Sequence, residues 1–230
     1  MKAGARKTGL PKAGLPKAGL AKKAAPGSQS VVSGRPITAI LLVGFMGAGK
    51  STVGRALGNQ LGWPFEDLDE RIERREQRKV QEIFRDSGET GFRRAEHAVL
   101  ADLLVELRGG VEKIVALGGG AFAQERNTRL IRAANVPTIF LHAPVEELWR
   151  RCHQQAGQPG MGQPGMGQPG MERPLLGSLA TFSALYETRL PHYSEAWFRH
   201  ETSGKKIEDI AAEIVQALNL NRSQGKRGKT

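Results

Sequence analysis

At 230 residues, 39% of them hydrophobic, the chain has the length for one domain with a sizeable core plus extensions. Its formal charge of +11 suggests a nucleic-acid partner, but the excess sits at the ends: of 34 Lys/Arg, residues 1–36 hold eight and residues 221–230 hold four, with no acid in either stretch, leaving 22 bases against 23 acids between them. That near-neutral body argues against a nucleic-acid partner, no apolar run reaches the ~18 residues of a membrane span, and the lone Cys152 excludes an internal disulfide, which suits a reducing cytoplasm.

Residues 1–36 repeat a Lys-x-Gly-Leu unit from Lys7, Lys12 and Lys17. Pro and Gly at this density, with so few large apolar side chains, predict a disordered, solvated tail. It lacks the apolar core of a secretory signal and is too rich in Pro and Gly for an amphipathic transit helix. Residues 221–230 read as a second basic tail.

The folded part, 37–220, opens on a short β-rich apolar run, Thr38–Val43, expected to be a buried strand. Directly after it, Gly44-Phe-Met-Gly-Ala-Gly-Lys50-Ser51 meets the pattern G-x-x-x-x-G-K-[ST] at every specified position. A helix follows to Leu61, with Val53, Ala56, Leu57, Gln60 and Leu61 on one face. Glycines let backbone N–H groups curl round an anion, and the helix N-terminus adds a positive dipole end. Gly47, Ala48, Gly49, Lys50, Ser51 and Thr52 are the expected cradle for ATP, with Lys50 on the terminal phosphates and the Ser51 hydroxyl on Mg2+.

Trp63–Asp67 reads as a second strand ending in a carboxylate, followed by a charged helix, Glu70–Glu76. Asp69 at its start is either a ligand-facing acid at a strand end or a helix N-cap. A short helix over Val80–Phe84 and a turn at Asp86-Ser-Gly88 lead to a helix from about Glu89 to Leu107. Its apolar stripe is Phe92, Val99, Leu100, Leu103, Leu104 and Leu107, with Glu96 and Arg93 inside the stripe and Arg94 off it. Charges on such a face are costly unless paired or opened onto a site, and an Arg93–Glu96 pair allows both.

Lys113–Leu117 is the third strand, and Gly118-Gly-Gly120 at its end would let a ligand approach the backbone closely. Helix Glu125–Ala134, strand Pro137–Leu141 and a helix from Val145 to Cys152 continue the alternation. Residues 157–171 are Gly-Gln-Pro-Gly-Met three times over, expected to be a flexible segment. A helix from Leu179 is expected to line up Leu179, Phe182, Tyr186, Leu190, Tyr193 and Trp197, bent near Pro191. Arg189 lies in that stripe with no acid of the stripe three or four residues away. A last strand, Phe198–Thr202, and helix, Ile207–Leu218, close the chain.

Alternating strands and helices round one phosphate loop predict a parallel sheet with helices on both faces. With about five strands and no Asn-Lys-x-Asp guanine motif, a small-molecule kinase is favoured. At this point Gly44–Ser51, Asp67-Leu-Asp69, Phe92-Arg-Arg-x-Glu96, Leu117-Gly-Gly-Gly-Ala121, Arg173-Pro-Leu-Leu and Arg189-x-x-x-Tyr193, in that order, resemble the shikimate kinase family over about residues 37–218. Gluconate kinases, the nearest rival, typically carry Cys-Ser-Ala-Leu-Lys where this chain has Gly118-Gly-Gly120.

The resemblance implies a P-loop three-layer α/β/α fold of the nucleoside monophosphate kinase group, with a five-stranded parallel sheet of order 2-3-1-4-5 and a mobile lid, here about 153–176. It implies phosphorylation of shikimate by ATP with Mg2+, in a cytoplasmic monomer with no membrane or specific nucleic-acid partner. Lys50 and Arg173 would act on the transferring phosphoryl, and Ser51 and Asp67 would hold the metal, Asp67 through water. Asp69 would bind the shikimate hydroxyls and take a proton; Arg93 and Arg189 would clamp the carboxylate; Gly119 and Gly120 would offer backbone contacts; Arg151 would stack near adenine. The departure is the lid, longer than usual by the three pentapeptides.

Overall fold

A computed structural model describes residues 31–32, 35–156 and 178–220. Residues 1–30, the tail 221–230, the repeats at 157–171 and Arg173 lie outside them, as does most of the expected lid. Within the stretch expected to be without structure, Val31–Val32 pairs antiparallel with Arg35–Pro36; the two valines are β-branched and suit a strand.

The main sheet has five strands: β1 (Ala39–Val43), β2 (Phe65–Asp67), β3 (Lys113–Ala116), β4 (Thr138–His142) and β5 (Phe198–Glu201). All pairings are parallel, in the order β2-β3-β1-β4-β5, which is the expected 2-3-1-4-5. Every residue of the central β1 is buried, as an all-parallel sheet covered on both faces requires. The register decides where chemistry can sit. Leu42 of β1 and Asp67 of β2 both stand opposite Ala116 of β3, so Gly44, Asp69 and Gly118, each two residues further on, leave the sheet at one level.

The helices are α1 (Lys50–Leu61), α2 (Leu68–Glu76), α3 (Val80–Arg108), α4 (Glu125–Ala134), α5 (Val145–Ala156), α6 (Leu179–Tyr193) and α7 (Ile207–Ala217). α1 packs on α7 and β3, α3 on α2 and α4, and α5 on α6. Three expectations need correcting. The turn at Asp86–Gly88 is a kink within α3, where Gly88 alone leaves helical geometry (φ 64°, ψ −176°); only a residue without a Cβ takes that conformation cheaply. The stripe of α6 is shorter than expected: Leu179, at the start of the helix, is exposed, and the helix ends at Tyr193, leaving Trp197 beyond it exposed as well.

The third correction concerns α1, whose buried face is Val53, Gly54, Leu57, Gly58 and Leu61, with Gln60 exposed. A hydrophobic pattern cannot see glycines, yet these two admit the β2 chain: a Cβ on Gly54 would lie 2.3 Å from Cε2 of Phe65, and one on Gly58 2.8 Å from the Trp63 carbonyl. Gly54→Ala is therefore expected to destabilise the fold by about 1–3 kcal/mol through overpacking, although alanine favours the helix itself by ~1 kcal/mol. Thermal or urea melts decide it; an unchanged midpoint would mean that Phe65 moves aside freely.

Candidate active site

The phosphate loop joins β1 to α1 and is pressed against the end of β4 and the flank of α5. Gly47 has φ 78°, and a Cβ there would meet the Leu148 carbonyl at 2.7 Å and Cys152 Sγ at 2.9 Å. Only glycine fits both the dihedral and the space. Lys50 Nζ lies over the loop, donating to the carbonyls of Gly44 (3.0 Å) and Phe45 (3.1 Å). Burial pulls its pKa down, opposed by the charges of Asp67 and Asp69, so the ammonium is short of counter-charge and suited to an anion.

Next to the loop, Ser51 Oγ donates to Asp67 Oδ2 at 3.0 Å, and Asp67 Oδ1 accepts the Asp69 N–H at 3.0 Å. The N-cap of α2 is thus Asp67, not Asp69. This resolves the choice left open by sequence in favour of a free Asp69 carboxyl. A serine hydroxyl and a buried carboxylate in contact are hard oxygen donors at a phosphate cradle, and this set fits Mg2+, which takes one or two protein oxygens and completes its shell with water and phosphate.

Three side chains expected to share a site converge on the turn after β3. Cβ atoms built on its glycines would lie 2.8 Å from Asp69 Oδ1 at Gly118, 3.6 Å from an Arg189 guanidinium nitrogen at Gly119, and 2.7 Å from one of Arg93 at Gly120. A side chain at Gly118 or Gly120 would push aside the Asp69 carboxylate or the Arg93 guanidinium, which occupy that space. Asp69 has its pKa raised to about 7, first by burial and then by the charges of Asp67 and Glu96, against Lys50 and Arg93. A carboxyl poised there can hold or accept a proton near neutrality.

The two arginines are held differently. Arg93 donates to both oxygens of Glu96 at 3.1 Å and to Glu89 at 3.2 Å. Glu96 is 1% exposed and also accepts from Gln124; burial raises its pKa, and Arg93 works against the rise. Arg189 lies 5.6 Å above the Phe45 ring, and no ion pair to it occurs among the described residues. Arg151 reaches the loop from α5, donating to the Gly47 carbonyl (3.5 Å) and to Thr202 Oγ1 (3.2 Å), with Glu147 on its other side. Arg173 lies outside the described residues.

Sequence reasoning missed Thr202, Gln124 and Glu89. The Arg93–Glu89 spacing of four was available as a signal; Thr202 and Gln124 reach the site only through tertiary structure. Two surface clefts, of about 450 and 700 Å³, are lined by α2 and α3 and by the β2 edge, and neither is lined by Lys50 or Asp69. Convergent chemistry, not cavity size, locates this site.

A family model for shikimate kinase matches residues 46–219. The shikimate kinase of Cereibacter sphaeroides is 38% identical over 182 residues, spanning 78% of this chain and 81% of that protein. That of Persephonella marina is 36% identical over 177 residues, 76% of this chain and 96% of that protein. Among solved structures, shikimate kinase from Acinetobacter baumannii in complex with shikimate aligns with a TM-score of 0.65 at 33% identity, covering 82% of this chain and 96% of that one. The Aquifex aeolicus enzyme aligns at 0.61 and 32%, covering 81% and 99%. With the sheet order and the phosphate loop described above, these matches show that the chain belongs to the shikimate kinase family.

Proposed function

We infer that this enzyme transfers the γ-phosphoryl group of ATP to the 3-hydroxyl of shikimate, giving ADP and shikimate 3-phosphate in aromatic amino-acid biosynthesis. The observation that carries the reading is the convergence of Asp69, Arg93 and Arg189 on one glycine turn beside the phosphate loop. A hydroxy acid needs what these groups offer: two guanidiniums for its carboxylate, a carboxylate for its hydroxyls, and bare backbone at Gly119 and Gly120 for close approach.

Phosphoryl transfer relies on positioning and charge stabilisation rather than covalent help. Gly47, Ala48, Gly49, Ser51 and Thr52 bind the phosphates through backbone N–H groups and the α1 N-terminus, and Lys50 neutralises their terminal oxygens. Ser51 and Asp67 would hold Mg2+, which when bound neutralises charge on the β- and γ-phosphates. Asp69 orients the attacking hydroxyl and accepts its proton. Arg151, between Gly47 and Thr202, borders the nucleotide, and the family resemblance gives Arg173 the transferring phosphoryl. No helix among the described residues is long and apolar enough to cross a membrane, and the reading is of a cytoplasmic monomer.

The test is direct. Protein, ATP, Mg2+ and shikimate are mixed and ADP is followed by a coupled assay. ADP release that requires shikimate, with a phosphorylated product, is expected; ATP turnover indifferent to shikimate would remove this reading.

A further inference from the structure

We propose that Tyr193 is a positioning residue for the acid substrate: its hydroxyl ties the glycine turn after β3 to α6, and so sets the spacing of the two guanidiniums. This deepens the functional reading above and rests on it.

Tyr193 is fully buried at the last turn of α6. Its ring stacks on Phe140 of β4, with centroids 5.2 Å apart, and its hydroxyl donates to the Gly119 carbonyl. Gly119 is the middle of the turn; its neighbours Gly118 and Gly120 carry Asp69 and Arg93 against them. Arg189 lies one helical turn before Tyr193, so the two share a face of α6. The same tyrosine therefore touches the turn that seats Arg93 and sits beside the helix position that supplies Arg189.

Both parts need such a tie. Three consecutive glycines have more backbone freedom than any other tripeptide, and a clamp is only as exact as the distance between its jaws. α6 has Pro191 between Arg189 and Tyr193, which removes a backbone hydrogen bond there and loosens the ladder. Burial raises the phenol to about 12, with the Arg189 charge and its hydrogen bond to the phenol opposing, so the hydroxyl keeps its proton as donor at any working pH. Packing alone would be served equally well by phenylalanine; the hydrogen bond is what tyrosine adds.

Tyr193→Phe removes the hydroxyl alone, with its ties to the Gly119 carbonyl and to Arg189, since the ring and its stack on Phe140 remain. The expected result is a KM for shikimate raised by about tenfold, with kcat and the KM for ATP within about twofold and the melting temperature nearly unchanged. In an Arg189→Ala background the same change should cost much less, because a clamp with one jaw has no spacing to lose. An unchanged KM for shikimate, or a full tenfold effect in the Arg189→Ala background, overturns the proposal. A lower melting temperature with both KM values intact does so too, by showing a structural role. Wild-type enzyme that ignores shikimate overturns the functional reading and this one with it.

Discussion

Asp69→Asn is expected to lower kcat by at least about 10²-fold while leaving the KM for ATP near that of wild type. The amide is isosteric and can still hydrogen-bond the shikimate hydroxyls, so ground-state binding should persist while the proton acceptor is gone. In the wild type, kcat/KM for shikimate should rise with pH through about 7, since the carboxyl titrates there and only its deprotonated form can take a proton. The residual rate of the Asn variant should lack that inflection. An undiminished kcat, or an inflection that survives the substitution, would remove Asp69 from proton transfer.

The raised pKa has a stability consequence of known sign. In the unfolded chain Asp69 titrates near the ordinary value of about 4, whereas in the fold it holds its proton until about 7. Between those limits the folded state binds more protons, so the stability owed to this group is present below about pH 4 and is lost as pH rises through about 7. The Asn variant should therefore melt higher than wild type at pH 8 and much the same at pH 4. A carboxylate that costs stability at the pH where it works is expected of a residue kept for chemistry.

What could be read from the chain and what could not divide along physical lines. The phosphate loop, the alternation of strands with helices and the stripe of α3 with Glu96 inside it follow from local pattern, whereas the strand order came only with the family resemblance; the structure has all four. The cap of α2 was undecidable from sequence, because Asp67 and Asp69 both suit the position and only the bond from the Asp69 N–H to Asp67 Oδ1 shows which carboxylate turns back to the helix. Gly54 and Gly58 were unreadable as a packing face, since their role depends on Phe65 arriving from another element. Arg93 and Arg189 were legible as charges on apolar stripes. That they face the same turn was not, because the two positions lie almost a hundred residues apart and meet only through β3.

Arg93→Ala and Arg189→Ala are each expected to raise the KM for shikimate by about two orders of magnitude, as loss of one partner from a desolvated charge pair costs ~2–5 kcal/mol. Their effects on stability should differ. Arg93 is the hydrogen-bonded counter-ion of Glu96, which is 1% exposed; removing the arginine leaves that carboxylate with Gln124 as its remaining side-chain donor among the hydrogen bonds described. Breaking such a pair typically destabilises by ~3–5 kcal/mol, and the loss should deepen with rising pH, because Glu96 must then shed a proton that burial favours keeping. Adding Glu96→Gln to Arg93→Ala should recover much of the melting temperature and none of the shikimate affinity. Arg189 rests on the Phe45 ring with no ion pair among the described residues, so Arg189→Ala should melt within a few degrees of wild type while binding shikimate as poorly. If the two single variants melt alike, Arg93 is not the buried counter-ion described here; if Glu96→Gln restores shikimate binding in the Arg93→Ala enzyme, the carboxylate of the substrate is held by something other than these two guanidiniums.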